Sequence, residues 1–143
     1  DPEQMAETLR GLRRTGALSL MVLTEEAELP EGAFALLRTE AKKAGLALAF
    51  GAIKDFGVPG EAFLAQWPAQ QRACLSALRR GETVALCCQY GAGRSGLVAA
   101  LLLMASGMKA HAAIHLVRSH FGEAIENAAQ ENWLRDREGP DVG

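Results

Sequence analysis

A cysteine and an arginine, Cys88 and Arg94, have the types and the spacing that could do chemistry in this chain. Gly91 and Gly93 lie between them, and glycines let successive backbone N–H groups turn towards one point. Such amides form an anion site, and a guanidinium can hold two oxygens of a phosphate at once. Positive surroundings also favour the thiolate form of a cysteine, which is the nucleophilic one. The segment therefore predicts a sulfur nucleophile aimed at phosphorus.

The elements on either side of this loop must hold it in place. The apolar run Thr83–Cys87 predicts a buried strand before the loop, and the run from Leu97 to Ala105 predicts a helix after it. The N-terminus of that helix would face any anion in the loop. Arg94 at the start of a helix supports this arrangement, because a cation there is unfavourable unless an anion is bound.

The segment Cys88-x5-Arg94-Ser95, with its glycines and its flanking strand and helix, resembles the signature loop of cysteine-based protein tyrosine and dual-specificity phosphatases. Upstream, the sequence Asp-Phe-Gly-Val-Pro at 55–59 resembles the loop that carries the general acid in that family. The order is opposite to that of the low-molecular-weight phosphatases. The resemblance covers residues 18–133 and is closest to the kinase-associated phosphatase type.

The resemblance implies a mechanism and assigns residues to it. Cys88 would attack a phosphomonoester, and Asp55 would protonate the leaving oxygen and later act as the base. Arg94 would clamp two phosphate oxygens, and Ser95 would hydrogen-bond the sulfur and help it leave the phosphoenzyme. The substrate phosphate would contact the loop residues Gln89, Tyr90, Gly91, Ala92, Gly93 and Arg94.

Three further positions either match the pattern of this family or depart from it. Gln130 resembles the C-terminal glutamine of some dual-specificity phosphatases, whereas Glu126 stands where many of them have a second glutamine. Which residue, if any, orients the hydrolytic water is open, and a solvated helix face is the alternative. Cys87 stands where the family usually has a histidine.

The predicted substrates are phosphotyrosine in proteins and, as a second class, phosphoserine or phosphothreonine. Gln89, Tyr90 and Ala92 bring no lysine to the loop, which argues against a highly charged inositol phosphate. We expect phosphate or another oxyanion in the loop but no metal and no other cofactor, because Arg94 and the amides would neutralise the charge that Mg²⁺ neutralises elsewhere.

Strand and helix patterns alternate along the rest of the chain. They predict an α/β fold with a small central parallel or mixed sheet flanked by helices, as in a dual-specificity phosphatase-like sandwich. We expect one phosphatase domain over residues 1–143, without the first strand and entrance loop that the family has before its opening helix. Strands are predicted at 18–23, 46–53 and 83–87, and helices at 2–15, 31–44, 61–80, 97–105, 109–121 and 123–137.

Composition excludes several classes of function. The 143 residues are 49% hydrophobic and carry a net charge of −2 without a broad cationic face, so we expect neither nucleic acid nor a membrane as a partner. Three cysteines are too few for a disulfide framework, and a free nucleophilic thiol belongs in the reducing cytoplasm. A monomer is expected. Cys74 is interpreted as a core residue, and the histidines as packed or solvated: His111, His115 and His120.

Two functions from other classes compete with this interpretation. A catalytically dead phosphate-binding module would lack one of Cys88, Arg94 or Asp55, and all three are present. A sulfur-transfer or redox protein would use Cys87 together with Cys88 and would ignore Arg94. A disulfide between the adjacent cysteines would inactivate the enzyme reversibly, but it closes a strained ring.

Overall fold

The computed structural model describes residues 2–89 and 92–138. Predictions that concern Asp1, Tyr90, Gly91 and the tail 139–143 therefore lie outside the described residues. Among the residues that are described, no helix has the length and the apolar character needed to cross a bilayer.

Within the described ranges, three strands form one parallel sheet, in agreement with the predicted α/β fold. They are β1 (Ala17–Val22), β2 (Ala47–Phe50) and β3 (Thr83–Cys87), in the order β2-β1-β3. Val22, near the end of β1, pairs with Phe50 on one side and with Cys87 on the other. Because parallel strands end at the same edge of a sheet, the segments that follow all three strands meet there. Every predicted site motif except the C-terminal one follows a strand at this edge.

In the described part of the chain, six α-helices cover the two faces of the sheet. β1 alternates between them: Leu20 and Val22 pack into one core with the first two helices, whereas Met21 and Leu23 pack into the other core with the remaining four. Burial on both faces explains why residues 20–22 form a continuous apolar run. The helices are α1 (Pro2–Arg14), α2 (Ala33–Ala44), α3 (Glu61–Arg79), α4 (Gly93–Ala105), α5 (Ala110–His120) and α6 (Ala128–Asp136).

Helix α4 lies in the interior and directs its N-terminus at the edge where the strands end. It is apolar on most sides, because β3, α3, α5 and α6 all contact it. Gly96, in its second turn, allows a close approach: a Cβ there would meet the Cβ of Ala124. The glycine therefore sets the position of α4 against the segment before α6.

Three predicted boundaries were wrong by three residues or more. The prediction placed the start of α4 at Leu97, where the apolar run begins, but the helix begins at Gly93 and includes the polar residues before that run. β2 ends at Phe50 instead of residue 53 and leads into a loop. α6 begins at Ala128 instead of Glu123, because the left-handed backbone of Ile125, with φ of 55°, interrupts any helix there.

Candidate active site

Cys88 is the first residue after β3, and it lies beside the first turn of α4. The hydroxyl of Ser95 donates a hydrogen bond to the Cys88 sulfur at 3.0 Å, and both residues are half-buried. The predicted nucleophile and the predicted hydroxyl partner are therefore in contact. Such a donor stabilises a thiolate more than a thiol, since hydrogen bonds to charged groups are the stronger ones.

Arg94 is buried, with 1% of its surface exposed, and its guanidinium points into the protein instead of into solvent. Its Nη1 and Nη2 donate to the two carboxylate oxygens of Glu28 at 2.7 and 2.8 Å. Nη1 also donates to the carbonyl of Ile53 at 2.9 Å, and Nη2 to that of Gln89 at 3.4 Å. The guanidinium is thus held by all three segments that leave the sheet edge.

Glu28 was not among the predicted site residues. It lies in a short 3-10 helix, Glu26–Glu28, that follows β1, and its carboxylate also accepts from the backbone N–H of Glu25 at 2.7 Å. The hydrogen bonds from Arg94 hold the pKa of Glu28 below its ordinary value, and Glu28 in turn raises the pKa of Arg94. The pair therefore stays charged over a wide range of pH.

Asp55, the predicted acid, lies in the loop after β2 and points towards Arg94. Its Oδ1 is 3.6 Å from Nη2 of Arg94 and accepts from the N–H of Phe56 at 3.0 Å. About a third of its side chain is exposed, so it can meet a substrate that enters from solvent. The fold therefore brings the acid loop and the arginine of the signature loop together.

The two C-terminal candidates, Gln130 and Glu126, differ in burial. Gln130 is completely buried, so a solvated helix face is wrong for this residue. Its Nε2 donates to the carbonyl of Gly57 at 2.9 Å, and its Oε1 accepts from the N–H of Glu126 at 2.8 Å. Glu126 is exposed, but its carboxylate covers Gly93 so closely that a Cβ on that glycine would meet it. Both residues therefore contact one of the two predicted catalytic loops.

Cys87 is the last residue of β3 and lines an apolar cavity of about 710 Å³ between β3, α4 and α5. It is accessible from that cavity. Desolvation by its surroundings, together with the neighbouring Cys88, raises the pKa of the Cys87 thiol. A raised pKa keeps this thiol protonated near neutral pH, and a protonated thiol is a poor nucleophile.

The remaining predicted residues fall into two groups. Gln89 and Ala92 lie between β3 and α4, and Gly93, directly after Ala92, is the first residue of that helix. Cys74 is buried in the core, as predicted. Within residues 2–89 and 92–138, no group of three or more His, Cys, Asp or Glu side chains is placed to hold a metal ion.

No protein-family profile and no curated protein sequence matches the chain. Several solved structures do match the chain. The chain is 30% identical to a mutant form of Tk-PTP, with 95% of this chain and 83% of that one covered and a TM-score of 0.75. The active form of Tk-PTP is 28% identical, with 96% and 87% covered and a TM-score of 0.73.

Two further structures share the fold at lower identity. Kinase associated phosphatase is 23% identical, with 96% of this chain and 79% of that chain covered and a TM-score of 0.78. Human DUSP28 is 22% identical, with 93% and 82% covered and a TM-score of 0.69. The predicted sandwich architecture is therefore confirmed by structures that share little sequence with this chain.

Proposed function

The chain belongs to the protein tyrosine phosphatase superfamily, as a phosphatase of the tyrosine or dual-specificity type, and we propose that it removes phosphate from phosphotyrosine and from phosphoserine or phosphothreonine in proteins. One observation carries the proposal. Cys88 with its hydroxyl partner Ser95, the buried Arg94 and the acid Asp55 all lie at one edge of the sheet. A nucleophile, a fixed cation and an acid are the set that phosphoryl transfer to sulfur needs.

The first step forms a cysteinyl-phosphate. The thiolate of Cys88 attacks phosphorus, the S–P bond forms, and the bond from phosphorus to the leaving oxygen breaks. Asp55 gives its proton to that oxygen, so that an alcohol or phenol leaves instead of an alkoxide or phenoxide. Arg94 binds the charge that spreads over the remaining phosphate oxygens, and its attachment to Glu28 keeps it in place before substrate arrives.

The second step releases inorganic phosphate. Water attacks phosphorus and gives a proton to the ionised Asp55, while the S–P bond breaks and the sulfur leaves as a thiolate. The hydroxyl of Ser95, 3.0 Å from that sulfur, stabilises the charge that returns to it. Both Cys88 and Asp55 end in the state in which they started.

We place the enzyme in the cytoplasm as a monomer, because a free nucleophilic thiol needs a reducing compartment. Its partner is a phosphoprotein, and inorganic phosphate or another oxyanion should bind the loop as a product or a competitive inhibitor. The net charge of −2 and the lack of lysine in the loop favour a protein phosphomonoester over a polyphosphorylated inositol.

Hydrolysis of an aryl phosphate and of a phosphotyrosine peptide tests the proposal. The wild type should turn over both, Cys88→Ser should have no detectable activity, and the matched variant Cys87→Ser should remain active. Activity that depends on Cys87 and survives in Cys88→Ser would favour a sulfur-transfer protein. A wild type that binds phosphate but releases no phenol would be a phosphate-binding module. The variant Asp55→Ala should then retain its phosphoprotein substrate from a cell lysate.

A further inference from the structure

Two side chains at the start of α6 are hydrogen-bonded to the loop that carries Asp55. Nδ2 of Asn127 donates to the carbonyl of Phe56 at 2.9 Å, and Nε2 of Gln130 donates to the carbonyl of Gly57 at 2.9 Å. Both acceptors are backbone atoms of the two residues that directly follow Asp55. The loop is thus attached at two successive carbonyls to a helix that lies far away in sequence.

The other ends of these side chains are also fixed. Oδ1 of Asn127 accepts from the N–H of Gln130 at 2.9 Å and caps α6, which turns Nδ2 towards the acid loop. Oε1 of Gln130 accepts from the N–H of Glu126, and its Nε2 also lies 3.4 Å from a carboxylate oxygen of Glu126. Because every polar atom of the buried Gln130 amide is engaged within the protein, this residue has no donor left to orient a hydrolytic water.

The backbone at both ends of this connection is strained. Among residues 2–89 and 92–138, the non-glycine residues with positive φ are Phe56, at 60°, and Ile125, at 55°. Phe56 lies in the acid loop, and Ile125 lies two residues before Asn127, the N-cap of α6. Such conformations persist only where surrounding contacts hold them, and they concentrate at functional sites. The two hydrogen bonds are contacts of this kind.

We propose that Asn127 and Gln130 are positioning residues that hold the acid loop with Asp55 turned towards Arg94. This inference rests on the proposed function, in which Asp55 protonates the leaving oxygen. Without the two hydrogen bonds, the backbone of Phe56 and Gly57 would relax, and Asp55 would spend less time within reach of the leaving group. The helix α6, which carries no atom of the reacting groups, would therefore control the efficiency of the acid.

The test compares two substrates that differ in their need for an acid. Phenyl phosphate has a poor leaving group that requires a proton, whereas 2,4-dinitrophenyl phosphate has a good one that does not. Asn127→Ser keeps an oxygen that caps α6, because serine is as good an N-cap as asparagine, but it loses the donor to Phe56. We expect it to lower kcat/KM, which reports formation of the phosphoenzyme, about tenfold for phenyl phosphate and less than about twofold for the dinitrophenyl ester. Gln130→Met should show the same selectivity.

The matched control is Asn132→Ser, the same replacement at an exposed position of the same helix, which should behave as wild type. A double-mutant cycle with Asp55→Asn isolates the coupling. If Asn127 acts through Asp55, then Asn127→Ser should cause no further loss in the Asp55→Asn background. Thermal unfolding of each variant shows whether a loss of activity comes from a loss of stability.

Four results would overturn the inference. An equal loss of kcat/KM on both substrates would indicate a general structural defect, and a loss that persists in the Asp55→Asn background would act by another route. A wild-type rate in Asn127→Ser, when Asp55→Asn has lost its phenyl phosphate activity selectively, would overturn the positioning role and leave the proposed function intact. If Asp55→Asn itself loses nothing on phenyl phosphate, the assignment of the acid is wrong and the positioning role is wrong with it.

Discussion

The guanidinium of Arg94 and the carboxylate of Glu28 form a bidentate pair, with N–O distances of 2.7 and 2.8 Å, across 66 positions of the chain. The arginine is 1% exposed and the glutamate side chain 17% exposed. A buried cation without a partner is strongly unfavourable, so Glu28 compensates the charge of Arg94 in the absence of a substrate. Because the arginine is already in place, little reorganisation is needed when phosphate binds.

Replacement of Glu28 by glutamine should destabilise the protein. Glutamine preserves the shape and one acceptor but removes the charge and the second acceptor, which leaves a buried guanidinium incompletely compensated. We expect the free energy of unfolding in urea to fall by about 3 kcal/mol. Glu26→Gln, in the same short helix but exposed, should change it by less than about 0.5 kcal/mol. Equal effects of the two variants would contradict the role of the pair.

The same pair predicts how stability depends on pH. Arg94 lowers the pKa of Glu28 in the folded protein, so the stabilisation is present above the ordinary glutamate pKa of about 4.3 and is lost as the pH falls through the lower folded value. Urea unfolding from pH 7 to pH 3 should therefore show a steeper decline for the wild type than for Glu28→Gln. Parallel curves for the two proteins over this range would be inconsistent with the coupling.

Ser95→Ala should slow the release of phosphate from the enzyme. The variant loses the 3.0 Å hydrogen bond to the Cys88 sulfur, and a hydrogen bond to a charged group contributes about 1.5–3 kcal/mol. We expect kcat to fall at least about tenfold, with a rapid burst of phenol before the steady state as phosphoenzyme accumulates. Ser106→Ala, at the other end of α4, is the matched control. A lower rate without a burst would place the effect of Ser95 in the first step.

Gly96→Ala should destabilise the fold. The new Cβ would meet the Cβ of Ala124 and would lie 3.0 Å from its Cα and 3.3 Å from Cγ1 of Val117. The backbone must move to make room, and we expect this to lower the free energy of unfolding by about 2 kcal/mol. Gly11→Ala, in α1, has only the end of the Arg14 side chain at 3.7 Å and should instead stabilise the protein by about 0.5 kcal/mol. Thermal or urea unfolding should therefore show that stability falls in Gly96→Ala and rises in Gly11→Ala.

The strand before the signature loop could be predicted because its signal is local. Thr83–Cys87 was predicted as a strand and is β3 without change, since an apolar run that ends before a glycine loop admits few other structures. The start of α6 could not be predicted in this way. Residues 123–127 suit a helix by composition, and only the contact of Ala124 with Gly96 and the left-handed Ile125 keep them out of one.

Glu28 and Asn127 could not be identified as parts of the site from sequence. Glu28 stands close to Glu25 and Glu26, and no local feature separates the three. The order of the strands selects it, because the segment after β1 comes to lie beside the segment after β3. Asn127 has the ordinary pattern of a helix cap, and its second hydrogen bond is to a loop 71 positions earlier in the chain. Both roles follow from the topology of the whole domain.

The position of β1 between two later strands also has a consequence for biosynthesis. As the nascent chain leaves the ribosome, β1 can pair with β2, but its other edge stays without a partner until β3 has been made. An open strand edge flanked by apolar side chains invites pairing with other polypeptides. Premature termination before Thr83 should therefore produce an aggregation-prone fragment, and co-translational chaperones should protect this chain most during the synthesis of α3.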